Sequence, residues 1–214
     1  NYFFKKSKSI SNKVDLFVLI SILMSFSLLP ILLSITEAPN FENAKHIKFK
    51  ELYVISPFGF VAALFIGLAH SVLFGYGAVY AAAKQLSTFE ISMFMVIVIT
   101  FGAIFQWPIG YMSDRIDRRV LLIAVTFIAS ILSILIIIFS YFSLYVFFII
   151  LAFYGGMSLP MVSLAVAHIN DYLQPDEIVA ASSSFNILVG LGAIFGPIAV
   201  SLFMNFVGID GFFI

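Results

Sequence analysis

The charged side chains of this chain, 11 basic and 11 acidic, fall into a few short clusters, and the clusters are separated by apolar stretches of roughly 20 residues. A helix of that length rises about 30 Å, the thickness of the hydrocarbon core of a bilayer. Apolar residues make up 62% of the chain and charged residues 10%, against roughly 25% charged in an ordinary soluble domain. No soluble core could hide that much hydrocarbon. Stretches such as residues 120–140 show no alternation of apolar and polar positions, which rejects a transmembrane β-barrel, whose strands alternate over about 10 residues. The expectation is an all-α, polytopic transmembrane bundle.

Six spans are read from the pattern, at about 15–35, 58–81, 89–112, 120–140, 144–167 and 178–206. The opening residues 1–14 are polar and carry Lys5, Lys6, Lys8 and Lys13. Residues 36–53 form the longest hydrophilic stretch and read as a connector between two halves of a larger protein. The remaining links are short, so consecutive helices must be antiparallel neighbours. Asn1 stands where a start methionine would, and residues 211–214 open a further apolar stretch; both ends read as truncations.

The net charge is zero, so neither a nucleic-acid partner nor an anionic cargo follows from charge. There are no cysteines, which removes thiol catalysis and thiolate metal sites. Counting Lys and Arg near span ends, one side collects Lys45, Lys48, Lys50, Arg115, Arg118 and Arg119, and the other Lys84 with the four opening lysines. Six stand against five, or against one if the opening segment is set aside. That places the connector and the arginines in the cytoplasm.

All three arginines lie in Gly110-Tyr-Met-Ser-Asp114-Arg115-Ile-Asp117-Arg118-Arg119. As a short turn between two spans, it has a glycine that permits close approach at Gly110, and Asp114 is expected to accept hydrogen bonds at a helix start. The arginines can fork onto carboxylates or helix carboxyl ends of a neighbouring bundle, or can simply enforce topology beside lipid headgroups. The run resembles the loop signature of the major facilitator superfamily, Gly-x-x-x-Asp-Arg-x-Gly-Arg-Arg/Lys. Gly110, Asp114, Arg115, Arg118 and Arg119 match, and Asp117 stands where the pattern has glycine, a residue that commonly supplies a positive φ. Ser56-Pro57, Gln106-Trp107-Pro108 and Ala167-His168-Ile169-Asn170-Asp171 resemble a bacterial subgroup of those facilitators.

That resemblance implies that the spans are the sixth to eleventh of twelve. Residues 1–35 would then end an N-terminal bundle, 36–53 join the halves and 54–214 form a C-terminal bundle. It also implies alternating access, with the loop from Gly110 to Arg119 latching one end state. Asp114 would be the main latch residue, with Arg115, Arg118 and Arg119 as its partners or as contacts to the missing N-terminal half.

Other residues are secondary candidates. His70 is the acid or base within a span that titrates near neutrality, which suits a cargo or proton contact as well as a neutral ring bonded to a neighbouring helix. Tyr76, Tyr80 and Gln106 are further candidates for the solute pathway. Gly192 and Gly196, one turn apart and followed by Pro197, read as a close-packing face with a kink site, and the Gly-rich segment with its proline is a weak pointer to export. Trp107 reads as an interfacial anchor and residues 175–177 as a helix start. His168, Asn170 and Asp171 offer too few soft ligands for a transition metal, and no metal or cofactor is expected. The leading reading is a secondary transporter of a small solute in a bacterial cytoplasmic membrane, with the lipid bilayer and the solute as partners. A transporter-like sensor or scaffold is the alternative; a membrane-embedded enzyme would have to use His168 and Ser182 to Ser184, which show no recognisable catalytic spacing.

Overall fold

The computed structural model describes residues 15, 17–33 and 49–213. The expectations for residues 1–14, for most of the connector and for Ile214 lie outside them. The chain divides into two compact units, residues 1–42 and 43–214.

In the first unit, α1 covers Phe17–Ser27 and α2 covers Leu29–Leu32. The expected span at 15–35 is thus interrupted at Leu28, two residues before Pro30, whose ring blocks a helix from running regularly through it. Among the described residues five helices, not six, are long and apolar enough to cross a membrane.

The second unit opens with α3, Phe49–Ile55, so the last residues of the expected connector are helical and bury Leu52 completely. Ser56 then caps α4, Pro57–Ala83: its side chain accepts from Gly59 N at 3.2 Å, and Pro57 occupies a first-turn position where a missing N–H costs nothing. α5, Thr88–Ser113, starts from a capping box in which Ser87 and Glu90 satisfy each other's backbone amides. Glu90 is therefore a helix-start residue. α6 covers Arg118–Phe139, α7 Leu144–Ser158, α8 Met161–Asn170 and α9 Ile178–Val207, followed by a 3₁₀ turn at Ile209–Phe212.

One departure concerns proline. The span expected at 144–167 is broken at Leu159–Pro160 into α7 and α8, although together they make one crossing of 27 residues. At Pro197, the expected kink site, the helix is not interrupted: α9 is one helix of 30 residues, long enough to require tilt. A proline costs one backbone bond in either place, and its neighbours decide whether the helix parts there.

The core lies in two clusters. One gathers Leu52, Ile66, Ile109, Leu121, Leu164, Ile169 and Phe185 at the arginine end; the other gathers Leu73, Tyr80, Phe94, Ile136, Phe147 and Phe212 toward the opposite end. α4 and α9 cross between them in direct backbone contact. A Cβ on Gly67 would overlap the Val189 carbonyl, one on Gly192 the Leu64 carbonyl, and one on Gly196 the Ser71 hydroxyl. Gly192 and Gly196 are therefore a packing face, as the spacing suggests.

Candidate functional site

The loop between α5 and α6 brings its charges to one end of the bundle. Asp114 is the C-cap of α5, with φ −81°, and Asp117 is the N-cap of α6. The Asp117 carboxylate accepts from Arg119 N at 2.8 Å and from Val120 N at 3.1 Å. The hydrogen bonds expected of Asp114 at a helix start thus belong to Asp117, because α6 does not begin until Arg118. Asp117 has φ −51°, an ordinary backbone conformation, so replacing the glycine of the loop signature here requires no left-handed geometry. At Gly110 a Cβ would meet nothing within 4 Å among the described residues. The close approach expected there has no counterpart among them.

Arg118 is committed inside the bundle. One terminal nitrogen donates to the Ala167 carbonyl at 2.8 Å and to Asp171 Oδ1 at 2.7 Å, while the other lies 3.5 Å from Asp114 Oδ1. The guanidinium thereby closes the carboxyl end of α8, where the helix dipole favours a cation. Its main partner is Asp171 and not Asp114. Arg115 lies over the ring of Tyr111 at 4.0 Å, and Arg119 over Phe58 at 5.4 Å. The Phe58 ring in turn meets His168 edge to face at 5.3 Å. The Asp114 side chain is 75% exposed, and Arg115, Asp117 and Arg119 are exposed as well, whereas Arg118 is half-buried.

The pathway candidates separate. Tyr80 is fully buried, stacked on Phe212 at 4.7 Å and flanked by Phe94 and Phe213, which removes it from the candidates. Tyr76 is half-buried against the same cluster. Gln106, on an exposed face of α5, donates its amide to the Ser163 hydroxyl of α8 at 2.9 Å. His70 Nε2 lies 3.0 Å from the Ser158 carbonyl. A carbonyl can only accept, so this nitrogen carries the hydrogen and the ring is bonded to a neighbouring helix. Pro197 is half-buried within α9, beside Gly196. Trp107 is 79% exposed and stacks on Tyr111 with ring centres 6.3 Å apart.

Sequence reasoning missed a second polar node at the opposite end. Lys84 lies 2.7 Å from Asp210, donates to Ser140 at 3.1 Å and sits 3.8 Å over the Tyr141 ring, while the Tyr141 hydroxyl donates to Asp210 at 2.5 Å. The node ties together the ends of α4, α6 and α9. Lys84 read in isolation is only a topology marker, and Asp210 lies far along the chain, beside a stretch that reads as the start of another span.

Residues 59–214 match the profile of the Major Facilitator Superfamily. An uncharacterized MFS-type transporter of Yersinia pestis (strain Pestoides F) is 27% identical over 147 residues, 69% of this chain and 37% of that protein. The uncharacterized MFS-type transporter YfkF of Bacillus subtilis (strain 168) is 26% identical over 175 residues, 77% of this chain and 42% of the relative. The uncharacterized MFS-type transporter YcaD of Escherichia fergusonii is 22% identical over 139 residues, 65% and 35% of the two chains. The chain thus spans under half the length of the curated relatives it matches. No solved structure is a significant match.

Proposed function

The chain belongs to the major facilitator superfamily, and from that premise we propose that it is the C-terminal bundle of a secondary transporter that moves a small solute by alternating access. It is a multi-pass integral membrane protein of a transporter family. Residues 1–35 close an N-terminal bundle, 36–53 connect the halves, and the arginine end faces the cytoplasm of a bacterial inner membrane.

The observation that carries the reading is the division of labour in the loop. Arg118 holds the loop to the end of α8 through Asp171, while Asp114 is left three-quarters exposed. A loop fixed on one side and charged on the other suits a latch that meets a second bundle in one end state and leaves it in the other. Gln106 and Ser163, bonded to each other on exposed faces of α5 and α8, are the side chains proposed to meet the solute, together with Tyr76.

The test uses the full-length protein. A thermal-shift screen of metabolites and amphipathic amines identifies stabilising solutes, and the hits are followed as flux in proteoliposomes. Asp114→Asn is expected to cut flux while leaving membrane insertion and melting temperature unchanged. Undiminished flux in the variant would rule out the latch.

A further inference from the structure

We propose that His70 is the positioning residue that sets the break in the α7–α8 crossing, and that α8 is a lever carrying movement at that break to the arginine loop. The regular backbone ladder of α7 stops where Leu159 N donates to the Gly155 carbonyl at 3.1 Å, and that of α8 resumes where Leu164 N donates to the Pro160 carbonyl at 3.0 Å. Pro160 has no N–H to offer Gly156, so the ladder cannot be continuous here. Ser158, the last residue of α7, is buried, and an unmet carbonyl at such a depth in a membrane protein is costly. His70, from α4, supplies a donor in the region where proline removes one, giving its Nε2 hydrogen to Ser158 O. Phe74, one turn on along α4, meets the imidazole edge to face with centres 6.1 Å apart.

The other side of the break is held as well, since Ser163 in the first turn of α8 takes the Gln106 bond from α5. Between those two anchors only Leu159 and Pro160 separate the helices. The far end of α8 is gripped by Arg118 through Ala167 O and Asp171. A swing of α8 about residues 158–160 therefore displaces the Asp171 end and pulls on the loop that carries Asp114. The lever lies beyond the transport reading, and its principal readout needs no solute.

The experiment places spin labels at two exposed positions of the full-length protein, Ile149→Cys on α7 and Tyr172→Cys just beyond α8, and measures their distance distribution in lipid. His70→Phe keeps a ring and deletes the donor; His70→Gln keeps a side-chain N–H at comparable reach. An interhelical hydrogen bond in a bilayer changes an equilibrium by about threefold on average and by up to about eighteenfold. The population outside the main distance peak is expected to rise by that factor in His70→Phe and to stay near the wild-type level in His70→Gln. Pro160→Ala returns an amide to the ladder, so the His70→Phe effect should shrink in that background, which also keeps the test available if the single variant folds poorly.

Equal distributions for His70→Phe and wild type, equal broadening by the Phe and Gln variants, or an effect indifferent to Pro160→Ala would each overturn the proposal. Loss of flux in His70→Phe with an unchanged distance distribution would make His70 a solute contact instead, and would leave the transporter reading standing.

Discussion

Two glycines two residues apart on α9 should respond to the same substitution in opposite directions. A Cβ on Gly192 would overlap the Leu64 carbonyl oxygen and lie 2.9 Å from Leu68 N and 3.0 Å from Leu64 C, all of them backbone atoms of α4 that cannot rotate away. Relief requires the two helices to separate by about 1.5 Å at their crossing to clear the Leu64 oxygen, since non-bonded contacts settle near 3.5–4.0 Å. Overpacking of this kind costs about 2–3 kcal/mol, and the better helix propensity of alanine returns about 1 kcal/mol, so Gly192→Ala should destabilise by about 1–2 kcal/mol. At Gly190 nothing lies within 4 Å of the place a Cβ would occupy, and Gly190→Ala should stabilise by about 0.5–1 kcal/mol through propensity alone. Thermal unfolding in mild detergent, followed by fluorescence-detected gel filtration, compares the two. A Gly192→Ala variant that melts with the wild type, or two variants that shift the same way, would refute the packing argument.

Several other residues give separable outcomes. Asp117→Ala removes the N-cap of α6 and should cost about 1 kcal/mol in thermal unfolding, whereas Asp117→Gly, the residue of the family pattern, should cost only a few tenths. Lys84→Met leaves Asp210 with little solvent and no cation, so it should lower the melting temperature more than the double variant Lys84→Met/Asp210→Asn, in which neither charge remains. For the part-exposed Arg118–Asp171 pair, a double-mutant cycle with Arg118→Met and Asp171→Asn should give a coupling of about 0.5–1 kcal/mol, weakened by salt.

The spans were legible because hydrocarbon thickness imposes a length on every crossing, and charged residues can mark only the ends. Gly192 and Gly196 were legible because a one-turn repeat of small residues has few uses in a membrane helix, and the arginine loop because its charges sit in ten consecutive residues. Tertiary choices were not. Asp114 and Asp117 are both plausible caps on paper, and the first residue of α6 decides between them. Pro160 and Pro197 look alike as letters, yet only the first parts its helix. Tyr80 and Tyr76 share a helix, but packing by Phe212 and Phe213 takes Tyr80 out of reach of any solute. Asp171 is 53 residues from Arg118, a pairing that no local spacing announces.

Alternating access at the Gln106–Ser163 face is tested most directly by side-specific labelling of Ser163→Cys in the full-length protein, reconstituted in sealed vesicles and probed with a membrane-impermeant thiol reagent from each side. The site should react from both sides but in alternate states, and Asp114→Asn should shift the ratio of the two rates severalfold by releasing the arginine end. Reaction from one side only, with a rate unmoved by Asp114→Asn, would contradict both the rocking of the bundle and the latch that governs it.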